Sequence, residues 1–316
     1  MLATGLDVPW GLARFPDGSL LVSTRDDVTL RRVDVESGAV RTLGRVPAES
    51  SDSGRGGEGG LLGIAVSPTY DEDGKVFAYY STATDNRIAW SSNFRTWTVI
   101  LDGIPRGIHH NGGGLMFGPD GWLYASTGEA GEPTLAQSPT SLGGKILRMG
   151  PGGEPAPGNP DPDSVILTTG HRNVQGMAFD TDGRLWASEF GDRTADELNW
   201  IRSGRNYGWP ETEGMSEDPR FTNPVAHWGT DVDSPSGIAY ASGAIWMAAL
   251  RGERLWRIGL NGTLAATPKA FLTGRYGRLR SVLAIDDRTL VVGTSNRDGR
   301  GDPGSSDDRL LLVKLS

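Results

Sequence analysis

The chain has 316 residues, a formal charge of −8 and a pI near 5.1, with no cysteine. This acidic balance argues against a nucleic-acid partner, since a phosphate-backbone binder is normally basic. The missing cysteines exclude disulfides and thiolate metal sites. No apolar run approaches the ~18 residues of a transmembrane helix. The N-terminal MLATGLDVPWG lacks the basic-then-apolar pattern of a signal peptide. Gly 46 and Pro 19 make the chain rich in turn formers, as a protein of many short strands would be.

Six segments follow one another with a shared pattern: Gly-apolar-Ala, a turn, then an apolar strand ending in Ser or Thr. They begin at Trp10 (WGLARFPDGSLLVST), Leu62 (LGIAVSPTYDEDGKVFAYYST) and Gly113 (GGLMFGPDGWLYAST). The others begin at Gln175 (QGMAFDTDGRLWASE), Ser236 (SGIAYASGAIWMAA) and Arg280 (RSVLAIDDRTLVVGTS). Equivalent positions are Gly11, Gly63, Gly114, Gly176, Gly237 and Ser281, spaced irregularly by 44 to 62 residues. Each unit also carries a later strand: TLRRVDV, NRIAW, KILRMG, ELNWIRSG, RLWRIGL and RLLLVKL. Two apolar strands around an Asp-Gly type turn read as a hairpin. One such unit cannot bury both its faces alone, so neighbours must cover it. The small residue opening each first strand suits a crowded axis. The expected fold is therefore all-β: a six-bladed β-propeller of four-stranded antiparallel blades, forming a single domain over 1–316. The alternative is a sandwich of unrelated hairpins. Helical periodicity is weak throughout.

Function on a repeat scaffold sits where the units stop being alike. GRGGEGGLLG (54–63) holds Glu58 in a Gly-rich loop without a phosphate-cradling motif. GIHHNGGGL (107–115) contains His109 and His110, two of only four histidines. Nineteen residues on, Glu129 ends the next strand of the same unit, placed to orient His110 as a base. The alternative is a solvated loop. TGHRNVQGMAFD (169–180) sets Arg172, Asn173 and Gln175 just before a strand entering the axis. An inward Arg there needs an anionic partner. His171 is either a ligand or a packed residue. GRYGRLRSV (274–282) concentrates Arg275, Arg278 and Arg280, the last two on the same side of a strand. These groups converge on one mouth and imply a small polyanionic ligand.

On GEGGLLGIA, HNGGGLMFGPDG, LGGKILRM, GHRNVQGMAFD with DELNWIRSGRNYGWP, and GRLRSV, the chain resembles the soluble pyrroloquinoline quinone (PQQ)-dependent sugar dehydrogenases. This is the glucose/sorbosone dehydrogenase family, and the likeness is nearer its shorter aldose sugar dehydrogenase branch. The resemblance implies PQQ and Ca2+ as cofactors. It implies oxidation of an aldose at C1 to a lactone, with an electron acceptor of unstated identity. His110 matches the family's catalytic base, and Glu129 falls where the family usually has an Asp. Arg172, Asn173, Gln175, Arg278 and Arg280 match cofactor contacts, with Arg172 stabilising developing oxygen charge. Gly191 and Asp192 match the two backbone carbonyls that bind calcium, and Glu58 falls near the sugar pocket. Four positions depart from the family: Glu129 for Asp, Gly114 for an Arg, Leu250 for a cofactor-contacting Lys, and Ser281 for an Asp. A periplasmic or cell-surface location, as a monomer or homodimer, follows by the same likeness. Competing expectations are a non-catalytic sugar- or partner-binding propeller and a metal-dependent lactonase.

Overall fold

The computed structural model describes residues 1–50 and 57–315; the start of the Gly-rich loop predicted at 54–63 lies outside the described residues. Six antiparallel sheets follow one another along the chain. Blade one is β1 (Pro9–Arg14), β2 (Leu20–Thr24), β3 (Thr29–Val33) and β4 (Val40–Arg45). Blade two is β5 (Leu61–Val66), β6 (Val76–Ser81), β7 (Asn86–Ser91) and β8 (Thr98–Ile104). Blade three is β9 (Leu115–Phe117), β10 (Leu123–Ser126), β11 (Ile146–Met149) and β12 (Ile166–Thr168). Blade four is β13 (Val174–Phe179), β14 (Leu185–Glu189), β15 (Asp196–Ile201) and β16 (Ala226–Trp228). Blade five is β17 (Pro235–Ala241), β18 (Ala244–Ala249) and β19 (Arg254–Asn261), with short outer strands β20 (Leu264–Ala265) and β21 (Lys269–Phe271).

Blade six has three strands of its own, β22 (Leu279–Asp286), β23 (Thr289–Thr294) and β24 (Leu310–Lys314). The N-terminal segment completes it. Ala3 bridges Leu310, and Leu6 and Asp308 exchange backbone hydrogen bonds at 3.0 Å each. The first residues of the chain thus lock onto its last strand and close the ring.

The sequence period explains the core. Inner strands are buried on both faces, and alternate residues serve opposite neighbours. In β6, Phe77 and Tyr79 pack toward blade three, while Val76, Ala78 and Tyr80 pack toward blade one. In β18, Trp246 and Ala248 face blade six, while Ile245 and Met247 face blade four. Six apolar clusters result, one in each gap between blades.

The small residue of each repeat lies where first strands crowd the axis. A Cβ on Gly176 would run into the Ser236 carbonyl of the next blade. Opposite several of these glycines stands the Ser of the second strand, which ties blades together. Ser23 Oγ accepts from Gly11 N–H (2.7 Å) and donates to the Leu62 carbonyl (2.6 Å). Ser126 Oγ accepts from Gly114 N–H (3.1 Å) and donates to the Val174 carbonyl (2.9 Å). In blade six the pair is exchanged: Ser281 on β22 faces Gly293 on β23, where a side chain would collide with Ser281 Oγ. Crowding at the axis also accounts for Gly114, since a Cβ there would sit 2.5 Å from Ser126 Oγ.

Candidate active site

In an antiparallel blade, the start of the first strand and the end of the second lie at the same end. Every candidate residue comes from one of those two places, so all gather at one mouth of the propeller. A cavity of about 150 Å³ opens there, walled by Trp10, Phe190 and Leu250 and lined with five arginines: Arg25, Arg251, Arg278, Arg280 and Arg300. Glu58, Gln175 and Ser234 complete its polar lining.

At its edge stands His110, in the loop entering β9. The loop turns sharply, with φ of 57° at His110 and 64° at Gly112, where a Cβ would press on the Thr127 backbone. Asn173 Oδ1 accepts from Gly112 N–H at 2.9 Å, and Glu58 Oε2 accepts from His110 N–H at 2.9 Å. The imidazole Nδ1 pairs with Glu129 Oε1, on a carboxylate only 1 % exposed. An ionised carboxylate can only accept, so Nδ1 is the nitrogen that carries the proton in this pair, and the neutral ring then has its lone pair at Nε2. The ring is 21 % exposed, open to a reactant. Glu58 also receives Arg300 Nη1 at 2.8 Å. Burial alone would raise Glu58, but Arg300 and the His110 N–H hold it below the usual range.

The arginine wall is built around one buried carboxylate. Asp298 Oδ2 accepts from Arg278 Nη2 (3.0 Å), Arg280 Nη2 (3.1 Å) and Ser295 Oγ (3.1 Å). Burial would raise Asp298, yet the two guanidiniums bring it down to about 2. Arg280 is itself lowered to about 10, first by burial, with Arg25 and Arg278 adding to the effect against Asp298. Gln175 Oε1 accepts from Ser236 Oγ (2.7 Å) and Arg280 Nη1 (3.3 Å), which fixes its amide. Arg25, just after β2, gives Nε–H to Asp26 (2.6 Å), while its buried Nη2 has no hydrogen-bond partner among the described residues.

Arg172 lies to one side. Its Nη1 donates to the Gly191 carbonyl (2.6 Å), its Nη2 to Asp192 Oδ1 (3.0 Å), and its guanidinium stacks over Trp209 at 5.3 Å. Asp196 Oδ1 accepts from Gly191 N–H (2.9 Å), and burial pushes this carboxyl up to about 6. Glu213 Oε1 accepts from the backbone N–H groups of Asp192, Thr194 and Ala195 at 2.7 to 3.0 Å. Burial would raise Glu213, but these donors lower it. The 191–195 loop is thereby pinned through its backbone N–H groups, with the Gly191 carbonyl held by Arg172.

Of the residues expected from sequence, Glu58, Gln175, Arg278 and Arg280 line the cavity, with His110 and Glu129 paired beside it. Asn173 buttresses the His110 loop from behind, and Arg172 with Gly191 and Asp192 forms the adjoining wall. Arg275 stays outside, stacked over Tyr276. His171 is a packed residue: fully buried, its ring bonds Glu189 Oε2 (2.8 Å) and Thr168 Oγ1 (2.9 Å) and stacks on Tyr207. Arg25, Arg300, Asp298 and Glu213 also belong to the site, outside the motifs singled out in the sequence. Arg25 carried a usable signal, because it follows a second strand, the slot that Leu250 and Phe190 occupy in other units.

A propeller whose mouth joins a carboxylate-oriented histidine to an arginine wall has the residue types of a site that moves a proton beside a bound polyanion. The chain belongs to the Glucose / Sorbosone dehydrogenase family, which it matches over residues 6–311. It is 55% identical to the aldose sugar dehydrogenase of Streptomyces coelicolor, whose structure was solved in a PQQ-bound form; the two superpose with a TM-score of 0.95 over 99% of this chain and 96% of that one. It is 28% identical to the aldose sugar dehydrogenase YliI of Escherichia coli, over 95% of this chain and 90% of that protein. It is also 30% identical to quinoprotein glucose dehydrogenase B of Acinetobacter calcoaceticus, over 70% of this chain and 54% of that protein.

Proposed function

We propose that this protein is a PQQ- and calcium-dependent aldose dehydrogenase that oxidises the anomeric C1 hydroxyl to a lactone, working as one propeller domain outside the cytoplasm. The observation that carries the reading is the His110–Glu129 pair set at the rim of a cavity lined by five arginines. PQQ bears three carboxylates on a flat ring system. The arginine wall suits its charge, the unpartnered Arg25 Nη2 offers a donor to it, and Trp10 and Phe190 suit its faces. Among the described residues no three His, Asp or Glu side chains gather into a metal cage. By the family resemblance a calcium ion would be held by the carbonyls of Gly191 and Asp192 together with the cofactor, with Arg172 giving up its bond to the Gly191 carbonyl.

When bound, PQQ with its calcium supplies an electrophilic carbonyl that accepts hydride. The chain's own residues do the rest. Glu129 holds the imidazole with Nε2 unprotonated and open. His110 takes the proton of the anomeric hydroxyl as C1 gives up hydride and becomes the lactone carbonyl. Arg172, freed from Gly191, turns its charge toward the oxygen that becomes negative. Glu58 and Arg300 flank the same opening and meet the sugar's other hydroxyls. The electrons then leave for an acceptor that this surface does not identify.

Chemistry at C1 requires a free anomeric hydroxyl. Reconstituted protein is expected to convert aldoses to aldonolactones while leaving methyl glycosides and alditols untouched, and a chelator is expected to stop turnover. Oxidation of methyl glycosides or alditols at rates like those of aldoses would refute the assignment to C1.

A further inference from the structure

We infer that Arg25 binds a carboxylate of the cofactor, supplying from blade one the cation that this chain lacks at Leu250. The inference rests on the PQQ reading above. The Arg25 side chain is 2 % exposed, and the residue belongs to the lining of the mouth cavity. Its Nε is committed to Asp26, but Nη2 is buried with no partner. A buried charged donor left unmatched is costly, and its natural remedy is an anion in the cavity it lines. A carboxylate fits the planar guanidinium edge better than a neutral acceptor.

The neighbours favour the same conclusion. Asp298 is shared by Arg278 and Arg280, and Glu58 is engaged by Arg300. Glu58 is the one carboxylate in the cavity lining, against five arginines. Leu250, 3 % exposed, presents an apolar side chain across the same space. Arg251 beside it is exposed and reaches the Thr230 carbonyl only at 3.4 Å. Arg25 is thus a buried cation of the cavity lining with a donor to spare.

The test is calorimetric titration of PQQ, with calcium present, into the wild-type protein and Arg25→Gln. The variant is expected to bind about 10- to 100-fold more weakly, as for loss of one charge-assisted hydrogen bond. Equal affinity of a folded Arg25→Gln and the wild type would overturn the inference while leaving the PQQ reading intact. No binding by the wild type would overturn both. Should Arg25→Gln fail to fold by thermal scan, Leu250→Lys in the wild-type background decides instead. If Arg25 already supplies the charge, that lysine changes affinity less than about threefold; a tenfold gain or more contradicts it.

Discussion

Replacing His110 by alanine is expected to lower turnover of the reconstituted protein by about 10²- to 10⁴-fold while PQQ affinity holds. The split follows from position. His110 stands at the rim of the arginine-lined cavity and does not line it, so removing the ring deletes the proton acceptor and leaves the cofactor wall whole. Glu129→Gln probes the same pair more gently. It keeps the shape but takes away the charge that fixes Nδ1 as the protonated nitrogen. Its kcat should fall, its pH–rate profile should shift, and PQQ affinity should again hold. A residue that only filled space would leave the pH profile where it was. Turnover near wild-type in His110→Ala would show that another group takes the proton.

Asp298→Asn should be the most destabilising single change at the mouth. It leaves Arg278 and Arg280 buried with their shared carboxylate gone. Breaking a buried ion pair from one side costs about 3–5 kcal/mol, because the partner charge stays behind. Urea unfolding of the two proteins at neutral pH measures it directly. Acid provides a second readout. Asp298 falls from its ordinary 3.8 to about 2 on folding. A carboxylate with a depressed folded value stabilises fully above the unfolded value and loses that contribution as pH falls through the folded one. The wild type is therefore expected to lose about 2 kcal/mol between roughly pH 4 and pH 2 from this group alone. Asp298→Asn should lack that part of the slope. Equal stability at neutral pH and the same acid slope in both proteins would mean that the arginine wall does not depend on Asp298.

Much of the scaffold was legible because it obeys a simple repeat. Gly11, Gly63, Gly114, Gly176 and Gly237 announce the axis, since a Cβ would meet the next strand's backbone at Gly63, Gly176 and Gly237 and the paired serine at Gly11 and Gly114. The apolar runs of β6 and β18 announce strands buried on both faces. Closure was not legible. The segment from Leu2 to Leu6 has no strand pattern, and it completes blade six through backbone bonds to Ser306, Asp308 and Leu310 and by packing Ala3 and Leu6 against Val291 and Leu310. The Ser281–Gly293 exchange reads as a departure until the two strands are seen face to face, when it becomes the usual small–Ser pair turned around.

The site divides in the same way. His110, Glu129, Gln175, Arg278 and Arg280 sit at strand starts and ends, where repeat position alone sends them to one mouth. Asp298 and Glu213 come from irregular excursions after β23 and β15 with no period to follow. Their importance lies in what they hold: Asp298 the arginine pair, Glu213 the 191–195 loop. Arg25 sits in a readable slot, yet Asp26 and Asp27 beside it give the segment the composition of a solvated turn. Burial distinguishes it, and burial of a single charged side chain is not written in local sequence.

The most direct measurement is reconstitution of the purified protein with PQQ and calcium, following dye reduction across a panel of aldoses. Samples lacking PQQ, and samples with a chelator, run alongside. The account predicts aldose-dependent reduction that needs both additions and yields the lactone. PQQ bound without turnover on any aldose, or no PQQ bound at all, would contradict it and favour a propeller that holds a ligand without oxidising it.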